Sequence, residues 1–92
     1  MQFMASIRFD PSHRDDIQRA MPAEQARVRE LQQAGQLEAL YVPDAAGPTG
    51  VWVIFNGDSR ESVNRIIESL PLYPYMHVEL TPLLDLHQPA RA

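Results

Sequence analysis

Apolar and polar side chains alternate at the start of the chain. Phe3, Ala5, Ile7 and Phe9 interleave with Gln2, Met4, Ser6 and Arg8, the period of a half-buried strand. "DPS" at 10–12 ends the run, and Asp10 or Ser12 is placed to cap a helix after it. From 13 to 34 the spacing becomes helical, with Ile17, Met21, Val28, Leu31 and Gly35 separated by three, four and seven. Pro22 is expected to divide a short first helix from a longer second one, and Gly35 to stop it. A second alternation covers 36–42, where Leu37, Ala39 and Tyr41 face away from Glu38, Leu40 and Val42. A loop with two prolines and two glycines, 43–50, leads to the strongly strand-like "VWVIF" at 51–55. A helix is predicted over 59–69, capped by Ser59 or Asp58, with Val63, Ile66, Ile67 and Leu70 as its apolar stripe. The last strand is predicted at 75–83, "YMHVELTPL", with a polar tail after it.

The order βαββαβ is that of two split β-α-β units, so the fold class is α+β. The expected architecture is a ferredoxin-like antiparallel sheet with both helices on one face, one domain over 1–84 and a C-terminal tail over 85–92. The other sheet face would then carry Met4, Ser6, Arg8, Trp52, Ile54, Tyr75, His77 and Glu79. It is too rich in aromatic and apolar groups for plain solvent. A self-complementary contact with a second copy would bury it, giving a dimeric α+β barrel.

Composition narrows the function. Of 92 residues, 45% are apolar, and twelve acids outweigh eight bases for a net charge of −4. All eight bases are arginine and none forms a run, which argues against nucleic acid and anionic membranes as partners. The chain has no lysine and no cysteine, so Schiff-base and thiol chemistry are excluded. His13, His77 and His87 lack the spacing of metal ligands. No metal or cofactor is expected. The lack of cysteine, of a leader pattern and of a long apolar run makes the cytoplasm the expected location.

Two segments carry a family resemblance. "RELQQAGQLEALY" and "SLPLYPYMHVELTPL", within a match spanning roughly 20–84, resemble the muconolactone Δ-isomerase family, whose members share an ELQ-x-x-G helix end and an LPL-[FY]-PYM turn before the final strand. The resemblance implies a ferredoxin-like subunit, sheet-to-sheet dimers assembled into rings such as decamers, a pocket between sheet and helices, and proton transfer within an unsaturated lactone. It also implies a glutamate six residues before the ELQ glutamate, the place Glu24 holds relative to Glu30. The family's "LWR" and its loop containing glycine, histidine and tyrosine are matched here by "LYVPDAAGPTG". Tyr41 stands for the tryptophan and Val42 for the arginine. Groups that would hold a substrate carboxylate are missing from this stretch, pointing to a divergent member with another small-molecule substrate.

Glu24 is the leading catalytic candidate. The stripe 17, 21, 24, 28, 31 turns it towards the apolar side, where a carboxylate would have a raised pKa suited to a general base. The opposing reading lets Pro22 shift the register, leaving "PAEQ" as an acidic first turn favoured by the helix dipole. Tyr41, Trp52, Tyr73 and Tyr75 are candidate substrate-binding aromatics, with core or interface packing as the alternative. Arg8 and His77, with Glu79, could form an acid/base pair beside an anion-binding arginine, or a cross-strand ion pair at a dimer interface. The function expected is a muconolactone isomerase-like proton shift on a small carbonyl compound. The alternative is a non-catalytic oligomeric binding or accessory protein of the same fold.

Overall fold

The computed structural model describes residues 1–43 and 50–84. Strand β1 (Gln2–Phe9) leads through a short 3-10 turn (Pro11–His13) into helix α1 (Arg14–Gln33). Strands β2 (Leu37–Tyr41) and β3 (Gly50–Asn56) come next, then helix α2 (Arg60–Glu68), a second 3-10 turn (Tyr73–Tyr75) and strand β4 (Met76–Leu83). The sheet order is β2-β3-β1-β4, and every neighbouring pair is antiparallel. This is the ferredoxin-like arrangement read from the sequence, with the two central strands those richest in alternating apolar residues.

Local chemistry accounts for the boundaries. The Asp10 carboxylate accepts from the Ser12 N–H at 3.0 Å and from its hydroxyl at 2.7 Å, closing the first turn. Those bonds hold the Asp10 carboxyl below its usual range. At the end of α1, Gly35 adopts φ +75, where a side chain would be strained, and Gln36 N–H reaches back to the Leu31 carbonyl. Ser59 and Ser62 cap α2 reciprocally, each hydroxyl accepting from the other's backbone N–H at 3.1 Å.

Pro22 does not divide α1. The helix runs unbroken for 20 residues with the proline inside it. Proline lacks only the one N–H that would meet the Gln18 carbonyl, and the bonds on either side continue the helix.

The core lies between the sheet and the helices. Phe3, Ala5, Ile7, Val53 and Phe55 are its sheet side, while Leu31, Val63 and Ile67 close it from the helices. Met76, Val78 and Leu80 pack against its edge from β4. On the opposite face Trp52 and Tyr41 stand exposed at 42% and 59%, paired across β2 and β3. Met4 and Ile54 lie opposite each other beside them, half-buried.

The face assignment of β2 differs from simple alternation. A register shift between Leu37 and Ala39 lets Leu37 face the core, Ala39 and Tyr41 face outwards, and Leu40 return to the helix side. An extra residue in one strand reverses the parity of everything beyond it. Tyr75, expected on the outer face of β4, instead ends the preceding 3-10 turn, its ring centroid 5.0 Å from that of His13.

Candidate active site

Only Glu24 and Leu31 of α1 are buried, although the helix spans 20 residues. Between the stretch of α1 from Met21 to Arg29 and the sheet lies a cavity of about 500 Å³. Ile7, Val53 and Phe55 form its sheet side, Met21 and Val28 its helix side, and Leu70 and Leu72 one end. Exposed Met21, Leu40 and Val42 mark where it meets solvent.

Glu24 lies in this wall and is 8% exposed. Its Oε1 accepts from the backbone N–H of Leu72 at 3.1 Å, the one hydrogen bond of its carboxylate among the described residues. Among those residues no fully buried side-chain oxygen or nitrogen lacks a partner. The second carboxylate oxygen, which has no protein partner there, therefore remains reachable from the cavity. Burial drives the carboxyl above the ordinary glutamate value, and the Leu72 N–H partly offsets this. One oxygen is fixed, the other is open, and the proton affinity is raised.

The prolines of "SLPLYPYM" build the Leu72 side of this arrangement. Tyr73 N–H bonds the Leu70 carbonyl and Tyr75 N–H the Leu72 carbonyl, both at 2.9 Å, coiling the segment so that Leu70 and Leu72 are both buried. The coil leaves the Leu72 N–H free for Glu24.

The other sequence candidates lie elsewhere. Tyr41 and Trp52, expected to shape the pocket with Glu24, project from the opposite side of the sheet. Tyr73 is 39% exposed and lines a groove between α2 and β4 rather than the Glu24 cavity. Tyr75 packs on His13. Arg8 and His77 face each other across β1 and β4 in a shallow hollow with Asp10, while Glu79 pairs with Ser6 one step away. Among the described residues no ion pair joins Arg8 to Glu79. His87 and the 44–49 loop lie outside the described residues.

Three cavity features were not read from the sequence: the Leu72 N–H, Gln25 and Arg29. Gln25 and Arg29 are exposed residues of α1 that also line the cavity. Their spacing of four, one step round the helix from Glu24 and Val28, was the signal that could have found them. A backbone donor leaves no such trace.

The fold and the buried carboxylate define a ferredoxin-like α+β subunit with a small-molecule-sized cavity. Its sequence matches the profile of the muconolactone delta-isomerase family over residues 1–88, and the chain belongs to that family. It is 33% identical over 69 residues to the muconolactone delta-isomerase of Cupriavidus pinatubonensis, spanning 75% of this chain and 70% of that one. A crystal structure of muconolactone isomerase superposes with a TM-score of 0.69 at 24% identity, covering 99% of this chain and all of that one. The 5-chloro-2-hydroxyhydroquinone dehydrochlorinase of Burkholderia phenoliruptrix AC1100, solved with 2,5-dihydroxybenzoquinone, superposes at 0.75 with 16% identity, covering 91% and 94%. At these identities the two structures show the shared fold. No helix among the described residues is long and apolar enough to cross a membrane.

Proposed function

We propose that the protein is an isomerase that moves a proton within an unsaturated lactone or related carbonyl compound, with Glu24 as the base. The observation that carries the reading is a carboxylate, 8% exposed and tethered to the Leu72 N–H, in a cavity wall that is otherwise mainly apolar among the described residues. Ionised Glu24 takes the proton from the carbon alpha to the carbonyl. The electron pair of that C–H bond shifts towards the carbonyl, forming an enolate. The same carboxyl then returns the proton further along the conjugated system on the same face, and the double bond moves with no net gain or loss of atoms. The raised proton affinity matches the base to a weak carbon acid better than an exposed glutamate would, and the apolar walls exclude water that would compete for the proton.

The muconolactone delta-isomerase of Cupriavidus pinatubonensis, as a family relative, supports the reaction class. The accessory-protein reading expects this cavity to be filled by side chains, and about 500 Å³ of open space beside a carboxylate weighs against it. The bare outer face, with Trp52, Tyr41, Met4 and Ile54 adjoining, supports a homodimer formed sheet to sheet. A larger ring, and a cytoplasmic location, belong to the same reading.

The decisive experiment is turnover of muconolactone and related unsaturated lactones by wild type and Glu24→Gln. Wild-type turnover that the variant loses supports the reading. No turnover of any of these lactones by wild type removes the lactone substrate, and equal turnover by both proteins removes Glu24 from the mechanism.

A further inference from the structure

The Glu24–Leu72 bond does not stand alone between α1 and the segment that precedes β4. That segment runs along α1 in the opposite sense and meets it at Ser69, Leu72 and Tyr75, each three residues from the next. Arg27, three residues beyond Glu24 on the helix, donates to the Ser69 hydroxyl from Nη2 at 2.9 Å and from Nε at 3.2 Å. His13, at the N-cap of α1, packs its ring on that of Tyr75, with centroids 5.0 Å apart. The Asp10 N–H adds a bond to the Tyr75 carbonyl at 2.9 Å.

Both ties are held in their turn. The Arg27 guanidinium lies 3.8 Å from the Glu30 carboxylate. The two ring nitrogens of His13 lie 3.2 Å from Asp16 and 3.9 Å from Asp10, so carboxylates of its own turn set the ring against Tyr75. Tyr75 passes the restraint inward, since its N–H bonds the Leu72 carbonyl at 2.9 Å. Leu72 is thus tied on both sides, and its own N–H is the donor that Glu24 accepts from. A hydrogen bond weakens steeply as its angle opens. A donor carried on an untied turn would therefore be a poor anchor for a base.

Resting on the reading of Glu24 as the base, we infer that Ser69 with Arg27 and Tyr75 with His13 are positioning residues, two ties that bracket Leu72 and hold its N–H on the Glu24 carboxylate. None of the four is among the described residues that line the cavity, so each acts through Leu72. The Leu72 N–H favours ionised Glu24, while burial opposes it. Loosening either tie withdraws the donor and leaves the burial, so Glu24 should then keep its proton to higher pH. Arg29 is the other charged residue lining the cavity among the described residues, and neither tie involves it.

The test is a carbon-detected NMR titration of the Glu24 carboxyl, assigned by its absence in Glu24→Gln. Ser69→Ala and Tyr75→Ala each remove one tie without changing the charge of the protein. In both, Glu24 should titrate at higher pH than in wild type, and the Leu72 amide should exchange faster with solvent. Tyr75→Phe keeps the ring against His13 and should titrate as wild type. Val63→Ala truncates the buried face of α2 away from both ties. It should lower the melting temperature and leave the Glu24 titration where it was, which separates positioning from general loss of stability. Where Tyr75→Ala does not fold, Ser69→Ala decides. An unmoved Glu24 titration in Ser69→Ala, or in a folded Tyr75→Ala, overturns the inference, as does an equal shift in Val63→Ala or Tyr75→Phe. On a lactone that wild type turns over, Ser69→Ala and Tyr75→Ala should lower kcat about tenfold with little change in KM. The titration needs no turnover, so failure of the base reading in lactone assays leaves this result separately readable.

Discussion

Glu24 and Leu72 are joined by a hydrogen bond of 3.1 Å across 48 residues of chain, from the turn before β4 to the middle of α1. The bond fixes which oxygen of the carboxylate is spoken for. It also makes the position of the base depend on the coil that the prolines impose on 70–75. Replacing Glu24 by glutamine keeps an acceptor for the Leu72 N–H and deletes the charge. Turnover of an unsaturated lactone by that variant should fall about 10²- to 10⁴-fold, the usual contribution of a positioned base. Glu24→Asp, one methylene shorter, should fall between the two, because it cannot both hold Leu72 and reach the same point in the cavity. Steady-state kcat on a lactone that wild type turns over is the measurement.

The same carboxyl makes stability depend on pH. Burial raises its pKa in the folded protein above the ordinary glutamate value of the unfolded chain. Its favourable contribution is therefore present below the unfolded pKa and is lost as pH rises through the higher folded value. A glutamine side chain in its place does not titrate. The stability of Glu24→Gln relative to wild type should rise across that window and level off above it, as tracked by urea unfolding from pH 4 to 8 in steps.

Leu31 is fully buried where α1 meets the sheet, and little else of α1 is. Leu31→Ala should destabilise the protein by about 2–5 kcal/mol, a large share of the stability of a domain this size. A denaturant midpoint only slightly shifted would mean that α1 is held mainly by other contacts.

Gly50 opens β3 directly opposite Arg8. A Cβ there would strike the backbone carbonyl oxygen of Ile7. Because the obstacle is central-strand backbone, it cannot swing aside. Gly50→Ala should lower stability by about 1–3 kcal/mol, whereas Ala39→Gly in the neighbouring strand should cost less; thermal melts compare them.

Trp52 is the largest exposed side chain of the outer sheet face. Trp52→Glu should dissociate the proposed sheet-to-sheet dimer, read by sedimentation velocity at micromolar concentration. If it leaves the sedimentation coefficient unchanged, that face is not the contact. Circular dichroism measures separately whether the subunit itself is intact.

Elements were legible where spacing carries the information. Phe3, Ala5 and Ile7 announce a half-buried strand by their period of two. Ser59 announces a capped helix. The run 17, 21, 24, 28, 31 turns Glu24 inward only if one helix carries it, a point that Pro22 left open in the sequence and that the unbroken helix of the structure decides. Less of the site was visible. Tyr41 reads as pocket-lining by plain alternation, yet one extra residue near Glu38 sends it to the far face, and a bulge of that kind has no side-chain signature. Tyr75 reads as strand from its β-favouring chemistry, but the bonds within 70–75 coil it into a turn against His13.

Short-range periodicity, caps and turn residues thus specified the order of elements and the class of fold, since each is a property of a few neighbouring residues, while the unbroken register through Pro22 that turns Glu24 inward was decided by the fold. The gap between α1 and the sheet, the Leu72 N–H that holds Glu24, and the separation of Trp52 and Tyr41 from the cavity arose only on folding. They depend on distances between segments tens of residues apart and on backbone groups that every residue type shares, so no local pattern of side chains encodes them.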